Sequence, residues 1–561
     1  MVLEYKFKYL SNNNTLIKFL KAIVSEMNLA FEIFREEDFI YLYIKAEENE
    51  LLEVSDKLST QLPMSIFLKD YSLEVVLEIP NKDKLQIKED FNLPYCPICV
   101  KNVENKESSD YYNPFFKCNI CGSSSNEKTL ILQEKASNEN SLIDFLNNKE
   151  VFEFLALKLF ENKRVKIKTK LGSFVFYKTS KLKSKDEKVL CTNINSLSKL
   201  TVTSKSKTVA LLSIEKPVID FVLNAVYKLN NELDFDTVKI RYAYDLTLYL
   251  LSLELQKLEV DFLTYEESDS FDYELNYDSL NDELETLTTP YISIYDEKIL
   301  LLENKNYDKK LDDVYNKFKS KSKSQLMVLI EENKLYEKSI LNIFTTSKYN
   351  DNISLYSKKI DGVIDILNYD VPSSLNTIFE EIALEDSGKR LLKNYKEKFP
   401  LNFEEATNYQ ISKREKNSIF VLWDYAAVVL GFDKENTNTT FGSILLENAQ
   451  KAILQKGPRI DYKLKQSDKL FNKEFDLTKF IKSGISFKLA GVDDKTLSFG
   501  YLESYAYFLA DIIDSTNSEF PLDGISLSGD LISNELFYKL ITKAITSNFN
   551  LYYNKDFPIQ L

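Results

Sequence analysis

Four of the five cysteines stand in two pairs, Cys96-Pro97-Ile98-Cys99 and Cys118-Asn119-Ile120-Cys121, with eighteen residues between the pairs. Each C-x2-C pair presents two thiolates to one ion, and a loop of that length lets the second pair close a tetrahedron, so the spacing predicts zinc. With sulfur at all four positions no coordination site remains for water or substrate, and the ion is expected to be structural. The competing reading is two pairs that meet without metal or as disulfides, which a reducing compartment disfavours. The fifth thiol, Cys191, lies in Lys188-Val189-Leu190-Cys191-Thr192 among apolar neighbours, which predicts a buried, inert side chain.

Absences limit the remaining chemistry. The 561 residues include no histidine and 12 glycines. There is therefore no imidazole base, no Ser-His or Cys-His couple and no histidine metal ligand. Few tight backbone turns are available to bring N–H groups up to a phosphate. A formal net charge of −14 and a pI near 5.0 argue against broad phosphate neutralisation, so nucleic acid is not an expected partner. Apolar runs such as residues 246–255 are broken well short of the ~20 residues a spanning helix needs. The opening MVLEYKFKYL alternates like a strand and lacks the layout of a signal peptide. A cytoplasmic protein with no membrane segment is expected.

The elements that must position these groups follow from hydrophobic periodicity. With 44% hydrophobic and 28% charged residues over this length, the chain is expected to fold as several domains. Residues 3–9 alternate as a strand, and 15–27 place Leu16, Phe19, Leu20, Ile23 and Val24 at helical spacing. Segments 29–34 and 39–44 read as a hairpin around residues 35–38, with Arg35 as a solvated turn charge. A helix at 50–61 and a strand at 64–69 complete a βαββαβ unit, a ferredoxin-like plait. A polar connection containing Pro80 and a polar run at 134–141 are expected to bound the cysteine segment. Beyond it come a helix at 151–160, strands at 165–169 and 174–177, and a helix at 246–258. The acidic stretch 266–285 is expected to be a solvated insertion. A hairpin at 291–302 follows, and 314–318 and 324–330 lead into a Lys- and Ser-rich region. Helices dominate 375–454, and a strand at 524–528 precedes a helix at 535–546.

The run Pro94-Tyr95-Cys96-Pro97-Ile98-Cys99, followed by Tyr111-Tyr112-Asn113-Pro114-Phe115-Phe116-Lys117-Cys118-Asn119-Ile120-Cys121-Gly122, resembles the first zinc finger of the HypF carbamoyltransferases. That finger reads C-P-x-C, eighteen residues ending in a Y-x-Y-P-F-like segment, then C-x-x-C-G. Further on, Gly172-Ser173-Phe174, Glu215-Lys216-Pro217-Val218-Ile219 and Ile240-Arg241-Tyr242-Ala243-Tyr244-Asp245-Leu246 are similar to the family's G-G-F, R-P-I and L-P-Y-T-P-L segments. Asp424 to Gly431, Thr440-Phe441-Gly442 and Ser526-Leu527-Ser528-Gly529-Asp530-Leu531-Ile532-Ser533-Asn534 resemble its F-D-A-V-A-A-L-L-G, Y-E-G and L-S-G-G-V-F-Q-N segments.

The resemblance implies a multi-domain α+β and α/β chain. Its parts would be an acylphosphatase-like plait at 1–80, a zinc ribbon at 90–135, a YrdC-like α/β domain at 141–304, and a TsaD-like ASKHA domain at 305–561, truncated at its end. It implies carbamoyl transfer toward the cyanide ligand of [NiFe] hydrogenases, with a HypE-like protein as partner, and with ATP and carbamoyl phosphate as ligands where the activity is retained. On the residues that match, it implies nucleotide contacts at Lys166 and Lys168, within a lysine run reaching Lys185, and at Ser528, Gly529 and Asn534. A solvated lysine face, and a strand-to-helix turn with N-cap chemistry, are the other readings of those two segments.

The chain departs from the family pattern in ways that bear on activity. The loop Ser11-Asn12-Asn13-Asn14-Thr15 has neither the phosphate-gripping arginine nor the glycines of the family's plait, and Asp530 replaces a glycine. The two histidines and the D-G-G carboxylate that hold the family's second metal have no counterpart, nor has its second zinc finger. No catalytic residue carries over. The expected function is a HypF-like maturation protein impaired in catalysis; the alternatives are a non-catalytic zinc-binding scaffold for a maturation partner and an RNA-binding YrdC-like protein.

Overall fold

Alternation in the first nine residues builds the centre of a four-stranded sheet. β1 (Val2–Tyr9) pairs antiparallel with β3 (Phe39–Lys45) on one side and β4 (Leu68–Val76) on the other, while β2 (Ala30–Glu36) flanks β3, giving the order β2-β3-β1-β4. α1 (Thr15–Ser25) buries Leu16, Ile17, Phe19, Leu20, Ile23 and Val24, and α2 (Leu51–Gln61) buries Val54 and Leu58. This is the expected plait, with its last strand at Leu68–Val76 instead of 64–69. The displacement has a local cause: Ile66 and Phe67 are buried in the connection, whereas residues 69–75 of the strand are exposed and give no burial pattern to read.

The structure is a computed structural model. It describes residues 1–80, 94–118, 120–121, 129–135, 140–277, 289–295, 298–360, 362–411, 417–432, 440–465, 471–545 and 549–559. The chain divides into two compact units, Met1–Tyr307 and Asp308–Leu561. The connection after Pro80 and the residues Asn119 and Gly122 of the cysteine segment fall outside the described residues.

The first unit also holds an eleven-stranded sheet. Its strands are β5 (Leu130–Lys135), β6 (Asn140–Ile143), β7 (Val165–Thr169), β8 (Gly172–Lys178), β9 (Lys188–Cys191), β10 (Val218–Val222), β11 (Thr237–Tyr242), β12 (Phe262–Glu266), β13 (Tyr273–Tyr277), β14 (Tyr291–Tyr295) and β15 (Lys298–Glu303). They lie in the order β15-β14-β10-β11-β9-β12-β8-β7-β13-β5-β6. Helices Asn148–Phe160 and Leu246–Lys257 pack against each other, burying Phe152, Leu155, Leu248 and Leu251.

Two expectations are corrected here. The polar run at 134–141 is not a separator: its ends pair, Glu134 with Ser141 and Lys135 with Asn140, as parts of β5 and β6 at one edge of the sheet, and residues 136–139 lie outside the described residues. The acidic stretch contains a true sheet member, β13, which pairs parallel with β7 and antiparallel with β5 and buries Tyr273, Leu275 and Tyr277. Acidic residues on either side obscured that period-two pattern; residues 278–285 of the stretch lie outside the described residues.

The second unit is built on β16 (Ile340–Phe344), β17 (Asn352–Ser357), β18 (Gly362–Asn368), β19 (Gly524–Ser528) and β20 (Leu551–Tyr552), in the order β18-β17-β16-β19-β20 with β16 and β19 parallel. Residues 314–316 fall on helix Lys310–Asn316, with 317 and 318 just beyond its end, 324–330 fall on helix Lys321–Asn333, and the stretch read as a Lys- and Ser-rich region supplies three of the five strands. Helix Ile419–Leu430 is buried along its whole length, with the Trp423 indole donating to the Tyr462 hydroxyl at 3.0 Å. Among the described residues no helix is long and apolar enough to cross a membrane.

Candidate metal centre and phosphate sites

Cys96 sits immediately before helix Pro97–Glu104, where Pro97 occupies the first turn and needs no hydrogen-bond acceptor for its nitrogen. One turn on, Cys99 points back at Cys96, and the loop after the helix brings in Cys118 and Cys121. The sulfurs lie 3.7 Å (96–99), 3.6 Å (96–118) and 3.5 Å (99–121) apart, and all four are within 4.8 Å of one another. A disulfide would need about 2.05 Å. Four sulfurs at a metal–sulfur distance of about 2.3 Å would be spaced by roughly 3.8 Å. The donor set is buried, with no cysteine more than 4% exposed. The four thiols fit a single metal ion that prefers sulfur in a tetrahedron.

Tyrosines dock the cysteine module on the large sheet's helix. The Tyr95 hydroxyl donates to the Ala243 carbonyl at 3.0 Å, and the Tyr95 ring packs 5.4 Å from that of Tyr249. Tyr112 donates to the buried Glu254 carboxylate, and Tyr249 donates to Glu104. In the sequence Tyr95 and Tyr112 were legible only as part of a resemblance and Tyr249 not at all; nothing in their spacing announced the docking. Cys191 is buried as expected, its thiol donating to the Asn193 carbonyl at 3.4 Å and pushed up to about 12 by burial.

The segment Glu215–Pro217 joins three parts of the first unit. Glu215 accepts from the Ser65 hydroxyl at 2.5 Å and the Ile66 N–H at 3.1 Å, which holds the plait. Lys216, 5% exposed, donates to the Leu212 carbonyl at 2.9 Å and lies 4.7 Å from the Tyr95 ring centroid and 5.4 Å from that of Tyr242. Burial lowers its ammonium to about 7. A buried lysine carries no sequence signal, so this junction could be found only in the structure.

The residues proposed for nucleotide contact have other partners. Lys166 and Lys168 project from one face of β7: Lys166 lies 3.4 Å from the Asp269 carboxylate, and Lys168 stands 4.3 Å from the Tyr277 ring centroid. A cleft of about 470 Å³ beside Lys166 is lined by Gly172, Ser173, Glu267 and Asp269, so two carboxylates offset the cation that would attract a phosphate. At the end of β19, Ser528 is buried with its hydroxyl unpartnered, and the Gly529 N–H donates to the Ile559 carbonyl at 2.9 Å. Gly529 has φ +98, and a Cβ there would lie 2.0 Å from the Thr345 carbonyl oxygen, so glycine is required. Asp530 accepts from the Ser347 N–H at 2.9 Å. The Asn534 side chain accepts from the Phe537 N–H at 3.0 Å at the start of helix Glu535–Ile545, the N-cap role given above as the other reading.

Arg35 is a correction. It lies in β2, not in a solvated turn, and its guanidinium reaches the loop after β1, donating to the Asn13 carbonyl at 2.9 Å and to the Ser11 carbonyl. The loop thus turns carbonyl oxygens, not N–H groups, toward the cation. Because charge-assisted hydrogen bonds contribute about 1.5–3 kcal/mol each, Arg35→Ala is expected to loosen this loop by about 2 kcal/mol. Faster amide hydrogen exchange in β1 and α1, with exchange in the eleven-stranded sheet unchanged, is the result to look for.

Residues 373–560 match the family model described as carbamoyltransferase, Kae1-like domain, second subdomain. The chain is 25% identical over 571 aligned positions to Protein HydE of Wolinella succinogenes, covering 97% of each sequence. Two solved structures share its fold from end to end. Full-length HypF in a phosphate- and nucleotide-bound form matches with TM-score 0.61 at 11% identity, and T. kodakarensis HypF with TM-score 0.62 at 12% identity; both alignments cover 100% of this chain and 96% of the other.

Proposed function

We propose that this chain, a HypF-like member of the carbamoyltransferase family, is a cytoplasmic maturation protein on the carbamoyl-transfer route to the cyanide ligand of [NiFe] hydrogenases, braced by structural zinc and impaired in its own turnover. Cys96, Cys99, Cys118 and Cys121 would hold the zinc, whose contribution is to lock the ribbon onto helix Leu246–Lys257. The observation that carries the reading is the end-to-end likeness in fold to HypF in a chain with no histidine. Impairment is further supported by two of the positions where nucleotide would be held: Lys166 and the Gly529 N–H each meet oxygen atoms of this chain. Such a protein would act by binding a HypE-like partner.

Incubating the purified chain with carbamoyl phosphate and ATP tests this directly. The expected result is one zinc per chain, no release of AMP or phosphate above background, and recovery of a HypE-like protein bound to the tagged chain. Release that disappears in Lys166→Ala/Lys168→Ala would overturn the claim of impairment. Absence of any maturation protein from the captured fraction would overturn the scaffold role.

A further inference from the structure

β4 is an edge strand: among the described residues β1 is the one strand that pairs with it. Tyr71, Leu73 and Val75 lie opposite Phe7, Tyr5 and Leu3, so they continue the face that carries the core of the plait. The three β1 residues are buried, yet Tyr71, Leu73 and Val75 are 61%, 43% and 62% exposed. Asp70, Ser72 and Glu74 take the other face. The Tyr71 N–H donates to the carboxylate of its neighbour Asp70 at 2.8 Å instead of to β1. By alternation, Leu73 and Val75 also turn their N–H and C=O groups outward.

Native sheets blunt such an edge with lysine, proline or a bulge. None of these interrupts residues 70–76, whose register with β1 runs unbroken. The opposite edge differs: on the same face of β2, Phe31 and Ile33 are half-buried and Arg35 reaches back to the loop after β1. One adhesive edge per chain closes with a like edge as a pair, whereas two would build an open chain.

The sequence of β4 also fits itself. In an antiparallel pairing centred on Leu73, Leu73 faces its own copy and Tyr71 faces Val75 on either side, an unbroken apolar row. On the other face Ser72 meets Glu74 and Asp70 meets Val76, so no two carboxylates are opposed. A pairing centred on Ser72 would set Asp70 against Glu74, and one centred on Glu74 would set that carboxylate against its copy, both unfavourable. Centring on Tyr71 would put Lys69 against Leu73 and break the apolar row.

We infer that β4 is the interface of a two-fold symmetric dimer, in which it pairs antiparallel with β4 of a second copy about Leu73 and joins the two plaits into one continuous sheet. The inference rests neither on carbamoyl transfer nor on a maturation partner.

Sedimentation velocity of the full chain over a dilution series tests it. Wild type is expected to sediment as two chains at the upper concentrations and to dissociate to one on dilution. L73K sets two ammonium groups face to face and is expected to remain a single chain throughout, as is L73E, which opposes two carboxylates. Both change an exposed side chain, so far-UV circular dichroism is expected to match wild type. An equimolar mixture of the two variants is expected to recover the two-chain species, since lysine then faces glutamate, a result particular to a residue that faces its own copy. Amide exchange at residues 71–75 of wild type, expected to slow as concentration rises, decides the matter if either variant does not fold. A single chain at every concentration overturns the proposal, as do open-ended oligomers, a two-chain species untouched by L73K, or exchange at 71–75 that is independent of concentration. Failure of the mixture to recover the pair overturns the register about Leu73.

Discussion

Serine at both Cys99 and Cys121 is expected to bring bound zinc from one ion per chain to none and to unfold residues 94–121. Each pair would lose one thiolate, and two remaining sulfurs cannot close a tetrahedron. Zinc held by small structural sites contributes on the order of 10 kcal/mol to the order of the segment that binds it, comparable to the whole stability of an ordinary domain. The helix Pro97–Glu104 has only eight residues and two buried side chains, Cys99 and Val103, far too little apolar burial to hold together unaided. Damage should spread along the docking contacts. Without Tyr112, the Glu254 carboxylate, whose side chain is 4% exposed, would keep Lys257 alone as a partner among the described residues, and Tyr95 would no longer cover Lys216. Metal analysis of the purified variant, with hydrogen exchange across helix Leu246–Lys257, gives the answer. Full zinc occupancy in the variant, or exchange in that helix identical to wild type, would refute the account.

What the sequence disclosed and what it withheld divide along physical lines. The plait was legible because strands half-covered by helices and helices with one apolar stripe carry their period in the chain: Leu16, Phe19, Leu20, Ile23 and Val24 are all buried. The metal centre was legible because four ligands of one chemical type at fixed spacing have few other uses. The sheet strands β16 to β18 were missed because their faces do not alternate: all five residues of β16 and all six of β17 are buried, including Asn342, Asn352, Ser354 and Ser357. A strand covered on both sides has no period-two signal, and polar residues buried inside the fold read as loop. Asn342 illustrates this, donating to Ser322 at 3.1 Å and accepting from Ser526 at 2.7 Å. Arg35 failed for a related reason: sequence gives a residue's position along a hairpin, not the 22 residues of separation that its side chain spans to reach Asn13.

Removing the Glu332 carboxylate is expected to destabilise the second unit by about 3–5 kcal/mol, because it leaves several buried N–H donors without an acceptor at about 1–3 kcal/mol each, water relieving part of the cost. Glu332 is 3% exposed and accepts from the Asn554 side chain at 2.9 Å and from the backbone N–H groups of Lys555, Asp556 and Phe557 at 3.1, 2.9 and 2.8 Å. Those donors fasten the segment whose Ile559 carbonyl accepts from Gly529, so Glu332→Ala should also free the N–H of the loop after β19. The only tryptophan, Trp423, lies in this unit, so a urea titration followed by its fluorescence isolates the effect. Burial, reinforced by the charge of Asp556, raises the Glu332 carboxyl from 4.5 to about 7. Below pH 4.5 folded and unfolded chains both hold the proton. Between 4.5 and about 7 the unfolded chain has released it and the folded chain has not, so stability falls as pH rises through that window and levels off above it. At 1.36 kcal/mol per pH unit the fall amounts to roughly 3 kcal/mol. Glu332→Gln cannot ionise and should lack this contribution, so the wild-type advantage over it should shrink by that amount between pH 4.5 and 7. A difference between the two proteins that stays constant across the window would mean that the four donors, not burial, set the charge of Glu332.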